Sequence, residues 1–250
     1  MEVSSMRRLL IWAAGTLVVL LVLGVGVFAL WVSDPYEALP GSVERAEEAV
    51  EVTVGEDGVV LEPPEGEVER AVVFYPGARV EPEAYAATWA PVVAETGVGV
   101  VIARMPLNLA VLAPGRAEEM TDRFEAREWY VGGHSMGGAM AAYAAGGDGL
   151  TTEGLILWGS YAVAGAGLAE RGDQRVLSVS ASEDLLVDPG TVRDRSGDLP
   201  DGAVTVEIDG MNHAQFGDYG PQTADGTPQI RNAEAWERLT EETAEFLRAG

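Results

Sequence analysis

The chain has no cysteine among its 250 residues. That excludes disulfides, thiolate metal ligands and thiol nucleophiles. Lysine is missing too, so all sixteen basic residues are arginines. Histidine occurs only at His134 and His213, too few for a zinc site built on imidazoles. No metal and no cofactor is expected. Positive charge is scarce throughout: forty acidic residues face the sixteen arginines, and the formal net charge is −24. A surface this acidic repels nucleic acid and anionic headgroups, so a nucleic-acid partner is excluded. Most of the acids are expected to be solvated surface.

Residues 9–32 form an uncharged apolar run, long enough to cross a bilayer as a helix. Arg7 and Arg8 precede it, and Asp34 and Glu37 follow it. The positive-inside rule puts residues 1–8 in the cytoplasm and the rest of the chain outside. A cleaved signal peptide has a shorter apolar region ending in a small-x-small site. Here Phe28-Ala29-Leu30-Trp31 is a poor cleavage site, and Trp12 and Trp31 sit where indole rings favour the interface. The expectation is a single-pass anchor in the cell membrane over residues 9–32, with an extracytoplasmic domain.

Pro35, Pro40 and Gly41 break residues 33–49, which read as a stalk with a short helix begun by Ser42. Residues 50–250 read as one domain with a full core. Strands are expected at 50–54 and 59–62, joined by the turn Gly55-Glu56-Asp57-Gly58. Further apolar, strand-like runs lie at 71–75, 98–103, 128–132, 155–158, 176–180 and 204–208. Helical patterns lie between them at 82–95, 116–124 and 138–145, and an amphipathic helix closes the chain at 232–248. Strands alternating with helices imply an α/β fold, a mostly parallel sheet with helices on both faces.

Gly133-His134-Ser135-Met136-Gly137 spells G-x-S-x-G between an expected strand and a helix rich in small residues. That is the setting of a nucleophile elbow, a strained turn whose neighbours must be small. A serine hydroxyl needs a base, and histidine titrates in the right range. His134 adjoins Ser135, where successive side chains diverge, so it is poorly placed to take the proton. His213 follows the last strand in the loop Gly210-Met211-Asn212-His213, at the carboxyl end of the sheet. The acid should precede it in the chain. Asp184, just past a strand end, is the candidate, with Glu183 and Asp188 as rivals; Asp188 before Pro189 also fits turn chemistry. An oxyanion hole needs two N–H donors. Met136 supplies one, and the loop Pro76-Gly77-Ala78-Arg79 the other, from Ala78 first and Gly77 second.

Together these residues resemble the α/β-hydrolase superfamily, over about residues 50–250. The match is closest to a compact group called the α/β-hydrolase-5 family, related to dienelactone hydrolases. It is carried by Phe74-Tyr75-Pro76-Gly77, by Gly133-His134-Ser135-Met136-Gly137-Gly138, and most specifically by Asn212-His213-Ala214-Gln215-Phe216-Gly217-Asp218-Tyr219-Gly220-Pro221-Gln222. The resemblance implies Ser135 as nucleophile, His213 as base, Asp184 as acid and a membrane-anchored architecture. It does not imply a substrate, because the superfamily hosts many chemistries. Dienelactone hydrolases usually carry a cysteine nucleophile, so their named activity does not follow for a chain without cysteine.

Large caps in such enzymes are usually inserted after the strand that follows the elbow helix. Here residues 159–175 leave room for one helix and no cap, so the site should be shallow and open. Tyr161 and Phe216 are the candidate substrate-binding residues, with Met105, Leu107, Trp158 and Tyr219 as further lining. Arg79 and Arg104 follow strand ends and are candidates to bind a substrate carboxylate, although surface ion pairs fit them better. Ser160 lacks an elbow context and reads as structural. The expected activity is hydrolysis of a small-molecule or acyl-ester substrate, with acyl transfer or a non-catalytic binding protein as alternatives.

Overall fold

The computed structural model describes residues 2–147, 149–163, 165–172 and 174–249, and of residues 2–9 the backbone alone. Met1, in the segment expected in the cytoplasm, lies outside the described residues. The chain divides into two compact units, residues 1–35 and 36–250.

The first unit is one helix, α1 (Glu2–Val32). Its stretch Leu10–Val32 is long and apolar enough to cross a membrane, and none of its residues is buried.

The second unit is built on an eight-stranded sheet. Its elements are α2 (Ser42–Glu47), β1 (Glu51–Gly55), β2 (Gly58–Glu62), β3 (Arg70–Tyr75), α3 (Ala86–Thr96), β4 (Gly99–Ala103), α4 (Arg116–Met120), β5 (Glu128–His134), α5 (Met136–Gly146), β6 (Gly154–Trp158), β7 (Arg175–Ala181), α6 (Pro189–Asp194), β8 (Val204–Ile208) and α7 (Asn232–Arg248). The strand order is β1-β2-β4-β3-β5-β6-β7-β8. From β4 to β8 all pairs are parallel, while β1 and β2 form an antiparallel hairpin on the edge.

Strand periodicity explains the two layers. Val72 and Phe74 point into one core, Val73 and Tyr75 into the other; Ile156 and Trp158 alternate with Leu155 and Leu157 in the same way. The first core is closed by Trp89, Val92 and Val93 of α3 and by Leu239 and Leu247 of α7. The second is closed by Ala117 of α4 and by Ala141, Ala142 and Ala145 of α5. The small residues of α5 let it lie close on the sheet, and at Gly138 any side chain would run into Ser160. The expected α/β-hydrolase fold is present.

Three local differences stand out. Helix α6 was not expected; Asp188 caps it by accepting from the Thr191 N–H at 3.1 Å, with Pro189 in the first turn. The described residues between β6 and β7 form no helix. Residues 36–47, read as a stalk, pack on the domain. Tyr36 bridges Val80, with its N–H donating to the Arg79 carbonyl at 2.7 Å. The Leu39 N–H donates to the Asp218 carbonyl at 2.8 Å, and Arg45 pairs with the buried Asp218 carboxylate.

Sheet order fixes where a site can form. From β3 the chain crosses to β4 on one side, then returns past β3 to β5 on the other. Between the carboxyl ends of β3 and β5 lies the topological switch point, where open α/β sheets bind ligands. The loop 76–79 and the elbow meet there.

Candidate active site

The elbow is strained as its motif requires. Ser135 follows β5 with φ 54° and ψ −124°, outside the regions comfortable for a residue with a side chain. Its N–H donates to the Trp158 carbonyl at 3.0 Å, and its own carbonyl accepts from Ser160 Oγ at 2.7 Å. Ser160 is thus a buttress of the turn. Gly133 faces the Gly137 main chain, and Gly137 faces the carbonyls of Tyr75 and Pro76, with no space for a Cβ at either position. The start of α5 is thereby pressed against the end of β3.

Two backbone donors come from these touching segments. Met136 is the first residue of α5, where N–H groups have no intrahelical acceptor and the helix dipole favours negative charge. In the facing loop, the Gly77 N–H is taken by Tyr85 Oη at 2.9 Å, the Arg79 N–H by the Asn108 carbonyl and the Val80 N–H by the Gly77 carbonyl. Among the described residues the Ala78 N–H has no acceptor. Of the two donors expected from this loop, Ala78 is therefore the uncommitted one. Arg79, Leu107 and Asn108 all have positive φ, so the loops beside β3 and β4 carry strain as well.

Asp184 and His213 meet across two loops. Asp184 is buried; its Oδ1 accepts the Leu186 and Val187 N–H groups at 2.8 and 2.7 Å. Its Oδ2 lies 2.7 Å from His213 Nδ1. A carboxylate there assigns the imidazole proton to Nδ1 and leaves the lone pair on Nε2. The backbone at His213 is held as firmly. Asn212 and Gln215 form a capping box around the turn His213–Phe216. Asp225 accepts the His213 and Ala214 N–H groups at 3.3 and 2.8 Å. Of the rival acids, Glu183 bonds Ser182 and Gln229, and Asp188 caps α6.

His134 lies beside this pair rather than in line with it. Its ring centroid is 4.3 Å from that of His213, and its Nδ1 is 2.9 Å from Tyr85 Oη. Burial, reinforced by the neighbouring His213, pushes its pKa well below the ordinary 6.5, so it stays neutral. Burial likewise raises the Tyr85 and Tyr219 phenols, which remain protonated.

The expected lining residues divide. Phe216 is fully buried and packs 5.3 Å from the His134 ring, so it supports the imidazoles from behind and offers no surface to a substrate. Trp158, Met105 and Tyr219 are buried as well, while Leu107 is exposed. Tyr161 is partly exposed, under the Arg195 guanidinium. Arg104 is paired with Glu83, and the Arg79 guanidinium sits over the Tyr36 ring. The sequence marks neither Tyr85 nor Asp225 as a neighbour of the candidate site. Each acts through contacts distant along the chain, and no local pattern marks them.

Known proteins support this reading of the fold. Solved structures with the same fold include a carboxyl esterase from the fungus Tuber melanosporum, at 12% identity over 80% of this chain and 87% of that one, with a TM-score of 0.58. They also include a butyrate-bound esterase from Thermogutta terrifontis, at 14% identity over 80% and 94%, with a TM-score of 0.57. A dienelactone hydrolase from Anabaena variabilis aligns at 16% identity over 78% and 96%, with a TM-score of 0.52. No curated protein matches the sequence. The model of the alpha/beta hydrolase family matches residues 71–237, most of the domain and every candidate residue from Ala78 to His213. The chain belongs to the alpha/beta hydrolase family.

Proposed function

We propose that the protein is a membrane-anchored serine hydrolase that cleaves carboxylic esters through an acyl-enzyme. The observation that carries this reading is Ser135 in a strained elbow, with φ 54°, at the start of α5. A binding module would have no use for that strain. Ser135 Oγ attacks the ester carbonyl carbon while His213 Nε2 takes its proton. The carbonyl electron pair moves onto oxygen, where the Met136 and Ala78 N–H groups hold the charge. Asp184 orients His213 and supports its charged form. The carbon–oxygen bond to the alcohol then breaks, and His213 returns the proton to the departing oxygen. Water, deprotonated by His213, attacks the acyl-enzyme, releases the acid and restores Ser135. The esterases among the structural neighbours agree with an ester substrate.

The localisation belongs to the same proposal. α1 is the membrane anchor, and residues 36–250 work outside the cytoplasm. No residue of Leu10–Val32 is buried, so lipid is the natural solvent for that surface.

A fluorophosphonate probe and a p-nitrophenyl ester series test the chemistry on the purified protein. Ser135→Ala should abolish both labelling and turnover, and Ser160→Ala should still be labelled. Asp184→Asn should lower kcat by up to ~10⁴-fold while the fold is kept. Asp188→Asn should cost about 1 kcal/mol of stability, as for a lost helix cap, and little activity. Labelling that survives in Ser135→Ala would overturn the assignment.

A further inference from the structure

Tyr85 Oη stands between two groups of the site. It accepts from the Gly77 N–H at 2.9 Å, and it lies 2.9 Å from His134 Nδ1. Because the Gly77 side already supplies a proton, we assign the phenol proton to the His134 side. His134 Nδ1 is then an acceptor, and the neutral ring carries its own proton on Nε2. That nitrogen is buried and makes no hydrogen bond of ordinary geometry, while the His213 main chain lies beside the ring. The same ring lies 4.3 Å from the His213 ring. A Cβ on Gly77 would press on both His134 Nδ1 and Tyr85 Oη, so the loop is fitted closely to the pair.

We propose that Tyr85 and His134 are positioning residues, a buried relay that ties the loop carrying the Ala78 N–H to the ring of His213. The relay occupies the Gly77 N–H, fixes the loop through it and leaves Ala78 as the donor that faces the oxyanion. His134 serves as a neutral acceptor and packing surface, not as a base. Protonation at Nδ1 would set two donors against each other across Tyr85 Oη, and it would put a cation beside the imidazolium that His213 becomes. This inference rests on the proposed serine-hydrolase reading.

The test compares Tyr85→Phe, His134→Phe, His134→Asn and the Tyr85→Phe/His134→Phe double variant in the full-length, detergent-solubilised protein. Phenylalanine at 134 keeps a packed ring and removes the acceptor. Asparagine can present its carbonyl near the position of Nδ1. Tyr85→Phe and His134→Phe should each lower kcat by roughly 10- to 100-fold, less than deletion of an oxyanion donor, with KM within about twofold. His134→Asn should recover most of the loss. The double variant should lose no more than the worse single one, because both break one link. Affinity for a trifluoromethyl ketone, which forms a charged adduct, should fall in step with kcat/KM, while binding of a neutral substrate analogue should hold. Circular dichroism and thermal midpoints identify any variant that misfolds, and the Asn variant against Tyr85→Phe then carries the comparison. Losses that add in the double variant, or asparagine as poor as phenylalanine, would overturn the relay. If Ser135→Ala kept turnover, the serine-hydrolase reading itself would fail, whatever the relay variants did.

Discussion

His134 couples the candidate site to the pH dependence of folding. Tyr85, Tyr219 and His213 face it, and burial holds its folded pKa well below 6.5. In the unfolded chain it titrates near its ordinary value. Below about pH 6.5 the unfolded chain therefore binds a proton that the folded chain refuses, and stability falls as pH falls. One such group contributes a slope of about 1.4 kcal/mol per pH unit until its folded pKa is reached. Urea unfolding of wild type and His134→Asn between pH 5 and 6.5 isolates this contribution, since the carboxylates and His213 are common to both. The variant should show a shallower slope by about one proton, and equal slopes would mean that His134 charges freely in the folded protein. The residue scale is also where sequence reading stops. The elbow glycines and the Asn212-His213 loop are local patterns, and the chain places their residues by itself. The links through Tyr85 to His134 and through Asp225 to His213 join distant positions, so only the folded sheet brings them together.

Among the elements, short continuous apolar runs made the strands legible, and all eight appear close to where those runs lie. Helix α6 went unread because it is short, although Asp188-Pro189 with Thr191 is a helix start. The segment before the sheet is a different case. Its prolines and glycine mark it as irregular, but irregular chain can still be packed. Tyr36 bonds the loop before α3, Leu39 and Arg45 hold Asp218 in the stretch after His213, and the Tyr36 and Tyr219 rings lie 5.6 Å apart. Helix α2 adds Ala46, fully buried in the first core. Residues 36–47 therefore strap the loops on both sides of the candidate site. A chain starting at residue 33 should fold and keep the proposed esterase activity, while one starting at residue 50 should lose both stability and turnover. Losing the strap's hydrogen bonds and buried apolar groups should cost about 3 kcal/mol, lowering the thermal midpoint by roughly 6–12 °C. Equal midpoints and equal kcat/KM for the two truncations would show the strap to be a passive tether.

For the whole molecule, charge and apolar length bear on the proposed topology. The apolar helix has arginines at its start, Arg7 and Arg8, and acids just past its end, Asp34 and Glu37. Arginine retained on the cytoplasmic side sets the orientation of a single span, and acidic residues resist transfer far less. The strongly acidic remainder, part of a chain with net charge −24, does not oppose transfer across the membrane. The absence of cysteine also removes any dependence on the redox state of the compartment. Protease added to intact spheroplasts that express the full chain should degrade residues 36–250, and a high-salt wash should leave the protein in the membrane fraction. Replacing Arg7 and Arg8 with Glu should raise the share of chains in which the domain is protected. A domain protected in the wild type would reverse the orientation. A soluble form trimmed near residue 32 would identify residues 9–32 as a cleaved signal instead, and the same hydrolase would then act free of the bilayer.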